Sequence, residues 1–163
     1  NGRQREPAWP EGWVGSISHS NGLCVVAIAP DRVYSSIGLD VEQASPLGED
    51  ILDLICSAAE QDQMTRLAYT TGRDLASFPL SKVIFSAKES IHKVYFPLNY
   101  HTLDFLDARV ELNAGNGSFI AQILNPEPEP VVPINRLMGR FTIGNDFVAT
   151  FIALEAVNSS IAS

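Results

Sequence analysis

Cysteine is scarce in this chain: two residues, Cys24 and Cys56, stand in 163. Both lie in apolar stretches without metal-ligand spacing, which excludes a disulfide framework and predicts reduced core thiols in a cytoplasmic protein. Basic residues are also few, 11 Lys and Arg against 19 Asp and Glu, for a net charge of −8. That balance argues against a nucleic acid or an anionic membrane as partner, because phosphate backbones recruit Lys and Arg. A small phosphorylated ligand in one local basic or metal-bearing pocket stays compatible with it. Long apolar runs are missing too. The longest, Leu23 to Ala29, stops at Pro30 and is far short of a membrane span. No secretory leader pattern is visible. The first residues are Asn1-Gly2-Arg3 rather than Met, as in a processed, trimmed or partly observed product.

What is present is enough apolar material for a packed core: 45% hydrophobic and 18% charged residues, sized for one ordinary domain or two very small ones. Residues 1–15 read as an irregular Pro-, Gly- and Trp-containing lead-in. Gly15 to Ser18, Asn21-Gly22 and Leu23 to Ala29 predict a hairpin whose second strand is buried on both faces. Ile37 to Glu42 alternates as a strand, with Ile37, Leu39 and Val41 on one side and Gly38, Asp40 and Glu42 on the other. Helical spacing follows over about Asp50 to Ala59 and Glu60 to Tyr69. A third helix begins near Leu80 and ends at about Tyr95, before Pro97. Strands are expected over Leu103 to Leu112, Ser118 to Leu124, Arg136 to Ile143 and Phe147 to Leu154. This order predicts an α+β fold, an antiparallel sheet with the Ile37–Glu42 strand near its middle and helices packed on one side.

Three short segments could carry chemistry. Asp40 and Glu42 stand two apart on one strand face and can converge on a cation, oxygen donors of the kind that suit Mg²⁺ or Mn²⁺. A solvated strand face explains them equally simply. In Ser86-Ala87-Lys88-Glu89-Ser90-Ile91-His92-Lys93, a helix would put Glu89 and Lys93 on one face, with Lys88 beside them within reach of a phosphate. The plain alternative is a Ser86–Glu89 capping box and a surface ion pair. Ser16-Ile17-Ser18-His19 could hold a phosphate through the ring and adjacent backbone N–H groups, or merely close a turn.

Taken together and in order, Gly15-Ser16-Ile17-Ser18-His19, Gly38-Leu39-Asp40-Val41-Glu42 and Phe85-Ser86-Ala87-Lys88-Glu89-Ser90-x-x-Lys93 resemble the signature blocks of the 4′-phosphopantetheinyl transferases. Trp9-Pro10-Glu11-Gly12 is similar to the WPxG stretch of the siderophore-synthetase (enterobactin-synthetase-component-like) branch of the two-lobed, surfactin-type group. The resemblance implies that Asp40, Glu42 and Glu89 coordinate Mg²⁺, with Mn²⁺ as a substitute, and that coenzyme A is the donor substrate. It implies Glu89 as the general base, directly or through a water, toward a serine of an apo acyl or peptidyl carrier protein. Lys93 would stabilise or protonate the departing 3′,5′-ADP. Ser18 and His19 would hold the 3′-phosphate, Lys88 another phosphate oxygen, and Arg3 and Arg5 would extend that grip. The pathway served would be siderophore, peptide, or fatty-acid and polyketide synthesis.

The resemblance also implies a pseudo-two-fold, two-lobed complete enzyme. Residues 1–36 would be a remnant of the first lobe, and 37–163 the second lobe with the metal-binding and catalytic residues. A chain without most of its first lobe would expose apolar surface around Leu23 to Ala29 and meet either its missing N-terminal segment or another copy of itself. Two other functions remain compatible with the sequence: a non-catalytic carrier-binding remnant or subunit, and an unrelated Mg²⁺-dependent phosphoesterase.

Overall fold

The chain first folds back on itself, as β1 (Trp13–Ser20) and β2 (Leu23–Pro30) form a two-stranded antiparallel sheet. Between them Asn21 and Gly22 take φ of 43° and 82°, the left-handed pair that a tight hairpin turn requires. The computed structural model describes residues 7–157 except 125 and 127. β2 is not buried on both faces: Val26 and Ile28 are 55% and 58% exposed. An unbroken apolar run signals double burial only where a layer lies on each side, and among the described residues β2 pairs with β1 alone. Cys24 is likewise exposed, whereas Cys56 is buried, and both are free thiols.

β3 (Tyr34–Gln43) leads into α1 (Glu49–Ile55), α2 (Ala58–Thr71) and α3 (Leu80–Asn99). A 3-10 turn at Phe105–Asp107 precedes β4 (Ala108–Asn113), β5 (Ser118–Ile123), β6 (Arg136–Ile143) and β7 (Phe147–Glu155). The five later strands form one antiparallel sheet in the order β3-β7-β6-β5-β4. This is the α+β class expected, with one correction. β3 stands at an edge of the sheet rather than near its middle, because β7 returns to pair with one side only. On its other side, Leu39 N–H donates to Ser16 Oγ (2.9 Å) and Val41 N–H to Ser18 Oγ (3.1 Å). Two serine hydroxyls of β1 thus satisfy backbone groups that a further strand would otherwise pair.

α3 crosses this sheet and supplies the largest share of the core: Val83, Ile84, Ala87, Ile91, Val94 and Tyr95 are buried with Val110, Phe119, Ala121, Val148 and Ile152. It approaches β3 so closely that a Cβ on Gly38 would run into the Ser90 carbonyl and come within 2.9 Å of Val94 Cγ2. Glycine is there for this contact. Toward β7 the same helix presents hydroxyls: Thr150 Oγ1 lies 3.0 Å from Ser86 Oγ and 2.7 Å from Ser90 Oγ, and donates to the Ser86 carbonyl at 2.8 Å. All three residues are buried, so the serines of the Phe85–Lys93 block serve close helix–sheet packing.

Pro97 does not end α3, which runs on to Asn99. Pro97 lacks an N–H and its ring crowds the carbonyl four residues back, yet the helix closes only at Tyr100, with φ 56° and its N–H donating to Phe96 O at 2.7 Å. The expected strand at Leu103 is also shorter, since Asp107 Oδ2 accepts the Asp104 N–H (2.8 Å) and winds the 3-10 turn first. The capping box lies not at Ser86 and Glu89 but at Ser57 and Glu60, opening α2. Among the described residues no helix is long and apolar enough to cross a membrane.

Candidate functional site

The edge of β3, the middle of α3 and the end of β1 meet at Asp40. Its side chain is buried, at 3% exposure. Oδ1 accepts two hydrogen bonds, from Ser18 Oγ at 2.8 Å and from Lys93 Nζ at 2.8 Å. Lys93 also donates to Leu39 O at 3.0 Å. Oδ2 has no partner, and among the described residues it is the one buried side-chain polar atom left so. A buried carboxylate oxygen without a donor is costly unless something else satisfies it.

Glu42 and Glu89 are half-buried nearby and feel this charge. Burial raises the Glu42 carboxyl above its ordinary range, and Asp40 raises it further, while Lys82, Lys93 and His19 pull it down. Glu89 is raised by burial first, then by Asp40, with Lys93 opposing and Glu42 adding. The strand and helix periodicities therefore bring together Asp40, Glu42, Glu89 and Lys93 as the sequence suggested, with exposed His19 in electrostatic reach of Glu42. Hard oxygen donors around an orphaned buried oxygen suit a divalent cation such as Mg²⁺. The expectation that the three carboxylates already lie close enough to share one ion is not met. Among the described residues no three acidic, histidine or cysteine side chains converge as a ready ligand set. Lysines balance the carboxylates instead, Lys93 on Asp40 and Lys82 Nζ at 4.0 Å from Glu42 Oε2.

Two side chains expected at phosphates have partners within the protein. Lys88 is buried, and its ammonium donates to Ile55 O (2.7 Å), Glu60 Oε2 (2.9 Å) and Phe105 O (2.8 Å). An ammonium has three N–H groups, so none remains for a substrate phosphate. Ser18, at 5% exposure, spends its hydroxyl hydrogen on Asp40. Arg3 and Arg5 lie outside the described residues.

Sequence reasoning gave Ser16 no role of its own and missed Lys82 and Glu60. The alternation of Ser16 and Ser18 on one strand face was a signal for the first. Nothing local to the sequence marked Lys82, which also lies over the Phe85 ring at 5.4 Å. Beside the acidic group, a cavity of about 180 Å³ is lined by Lys88, Glu89, His92, Thr102, Leu103 and Phe105 among others. A second, of about 210 Å³, opens on the other side of Lys93 between Trp9, Ile17, Phe96 and Pro97.

Comparison with known proteins identifies the family. Residues 36–150 match the 4′-phosphopantetheinyl transferase superfamily, and residues 1–29 match the 4′-phosphopantetheinyl transferase N-terminal domain. The chain is 34% identical over 158 residues to 4′-phosphopantetheinyl transferase Svp of Streptomyces mobaraensis, covering 95% of this chain and 62% of that protein. It is 30% identical over 161 residues to Npt of Nocardia iowensis, covering 93% of this chain and 69% of that protein. It is 30% identical over 158 residues to PptT of Mycobacterium tuberculosis, covering 94% and 67%. The chain thus spans 62% to 69% of the length of these relatives. With the model of the superfamily matched across most of its residues and the motif side chains gathered at Asp40, the chain belongs to the 4′-phosphopantetheinyl transferase superfamily.

Proposed function

We propose that this chain carries the group-transfer site of an enzyme that moves the 4′-phosphopantetheine of coenzyme A onto a serine of an apo acyl or peptidyl carrier protein. The observation that carries the reading is the orphaned Asp40 Oδ2, buried between Glu42, Glu89 and Lys93 in a chain of this superfamily.

Asp40, Glu42 and Glu89 would hold Mg²⁺ or Mn²⁺, which requires the half-buried Glu42 and Glu89 side chains to turn toward Asp40. Such an ion, when bound, neutralises pyrophosphate charge and orients it for in-line displacement. Glu89 is the candidate base for the serine hydroxyl, directly or through a water. As the serine oxygen bonds to phosphorus, the bond to the bridging pyrophosphate oxygen breaks and 3′,5′-ADP leaves with that oxygen. Lys93 stands beside Asp40 to meet the developing charge on it. His19, exposed at the end of β1, is the candidate contact for the 3′-phosphate. The carrier served belongs to siderophore, peptide, or fatty-acid and polyketide assembly, in the cytoplasm.

The test is incubation with apo carrier protein, coenzyme A and Mg²⁺, followed by intact-mass analysis of the carrier. A phosphopantetheine-sized gain that disappears with chelator is the expected result. Carrier binding without a mass gain, or phosphate release without a carrier, would replace this reading with a binding remnant or a phosphoesterase.

A further inference from the structure

The donor inventory around Asp40 assigns a different task to Ser18 from the phosphate contact that its position beside His19 suggests. A serine hydroxyl has a single hydrogen to donate. Ser18 gives it to Asp40 Oδ1 at 2.8 Å and accepts the Val41 N–H at 3.1 Å. Donation to a phosphate oxygen would therefore mean releasing Asp40, and the hydroxyl lies in a residue that is only 5% exposed. Asp40 is bound asymmetrically as a result. Ser18 and Lys93 both donate to Oδ1, while Oδ2 has no partner among the described residues.

We propose that Ser18 is a positioning residue for Asp40: with Lys93 it pins Oδ1, fixing the carboxylate plane so that Oδ2 is the oxygen turned to a divalent cation. Ser18 sits on β1 and Asp40 on β3, so the same bond locks the hairpin against the strand that carries the acidic pair. Ser16 repeats the device one step along, accepting the Leu39 N–H at 2.9 Å without touching a carboxylate. The inference rests on the reading of Asp40 as a cation ligand.

The test measures Mn²⁺ binding to the whole chain by electron paramagnetic resonance of the free ion. It compares wild type with Ser18→Ala, Ser18→Cys and Ser18→Thr, with circular dichroism confirming the fold of each. Partners that orient a metal ligand typically govern about 10–100-fold in affinity. Ser18→Ala is expected to weaken Mn²⁺ binding by about tenfold or more on that basis, and Ser18→Thr to recover most of the loss. Ser18→Cys keeps the volume with a weak donor, so it reads the same effect if the alanine variant fails to fold.

Turnover with coenzyme A and with 3′-dephospho-coenzyme A supplies a second readout. A positioning role lowers kcat/KM equally for both, whereas a 3′-phosphate contact penalises coenzyme A alone. Wild-type Mn²⁺ affinity in folded Ser18→Ala or Ser18→Cys, no Mn²⁺ binding in the wild type, or a penalty confined to coenzyme A overturns the proposal. Mn²⁺ binding that depends on Ser18 in a chain that transfers nothing supports it and counts against the transfer reading alone.

Discussion

Lys88 Nζ and Glu60 Oε2 are 2.9 Å apart, with their side chains 2% and 1% exposed. Glu60 completes the arrangement by accepting the Ser57 N–H at 2.8 Å through Oε2 and the Val110 N–H at 2.8 Å through Oε1. One buried pair therefore ties the start of α2, the middle of α3 and β4 together. Removing one partner strands the other charge, a loss of about 3–5 kcal/mol. Lys88→Met should lower unfolding free energy by about that much in denaturant titration, while any folded fraction keeps the KM for coenzyme A of the wild type. A stable Lys88→Met protein with a raised KM would return Lys88 to the phosphate site.

Gly38 is the point where β3 meets α3. A methyl group there meets the Ser90 carbonyl, backbone that cannot swing aside, so α3 must shift. Overpacking of this kind costs about 1–3 kcal/mol. Gly38→Ala should show that destabilisation in thermal melts, together with a loss of transfer beyond what the unfolded fraction explains, because Glu89 and Lys93 ride on the displaced helix. Full activity in Gly38→Ala would mean that this spacing does not set the site.

Much of this was legible in the sequence, and the failures share a cause. Period-two alternation placed Asp40 and Glu42 on one strand face, and four-residue spacing placed Glu89 with Lys93, because both follow from backbone geometry alone. Lys88 is one residue from Glu89, yet each helical step turns about 100°, and that turn aims it at Glu60, a partner 28 residues away that no local pattern reveals. The bond from Ser18 to Asp40 was hidden for a related reason. The partner is on another strand, and only the packed hairpin shows where the serine hydrogen goes. The edge position of β3 depended on which strand β7 would choose, a non-local pairing.

The acidic group gives the metal-free chain a defined pH response. Glu42 and Glu89 both titrate above the ordinary 4.5 when folded, so the folded state holds their protons more tightly than the unfolded one. Their contribution to stability is full below the unfolded value and is lost as pH rises through the raised folded values. In chelator, the melting temperature should therefore decline from mildly acidic toward neutral pH, and Glu89→Gln should flatten part of that decline. Superimposable profiles for wild type and Glu89→Gln would contradict the electrostatic arrangement described.

The outer face of the β1–β2 hairpin should drive association. Trp13, Ile17, Val26 and Ile28 are 44%, 39%, 55% and 58% exposed, and the register pairs Ile17 with Val26, so they form one continuous apolar surface rather than scattered side chains. Among the described residues, the far edge of β2 has no strand partner either. An apolar strand face beside an open edge is a template for another chain. By itself this chain is expected to self-associate. Val26→Lys with Ile28→Thr should disperse the oligomer while leaving Asp40 and its partners in place, since both positions face away from β3. Size-exclusion chromatography with light scattering reads the outcome directly. A wild-type chain that elutes as a stable monomer at high concentration would show that this surface does not need a cover.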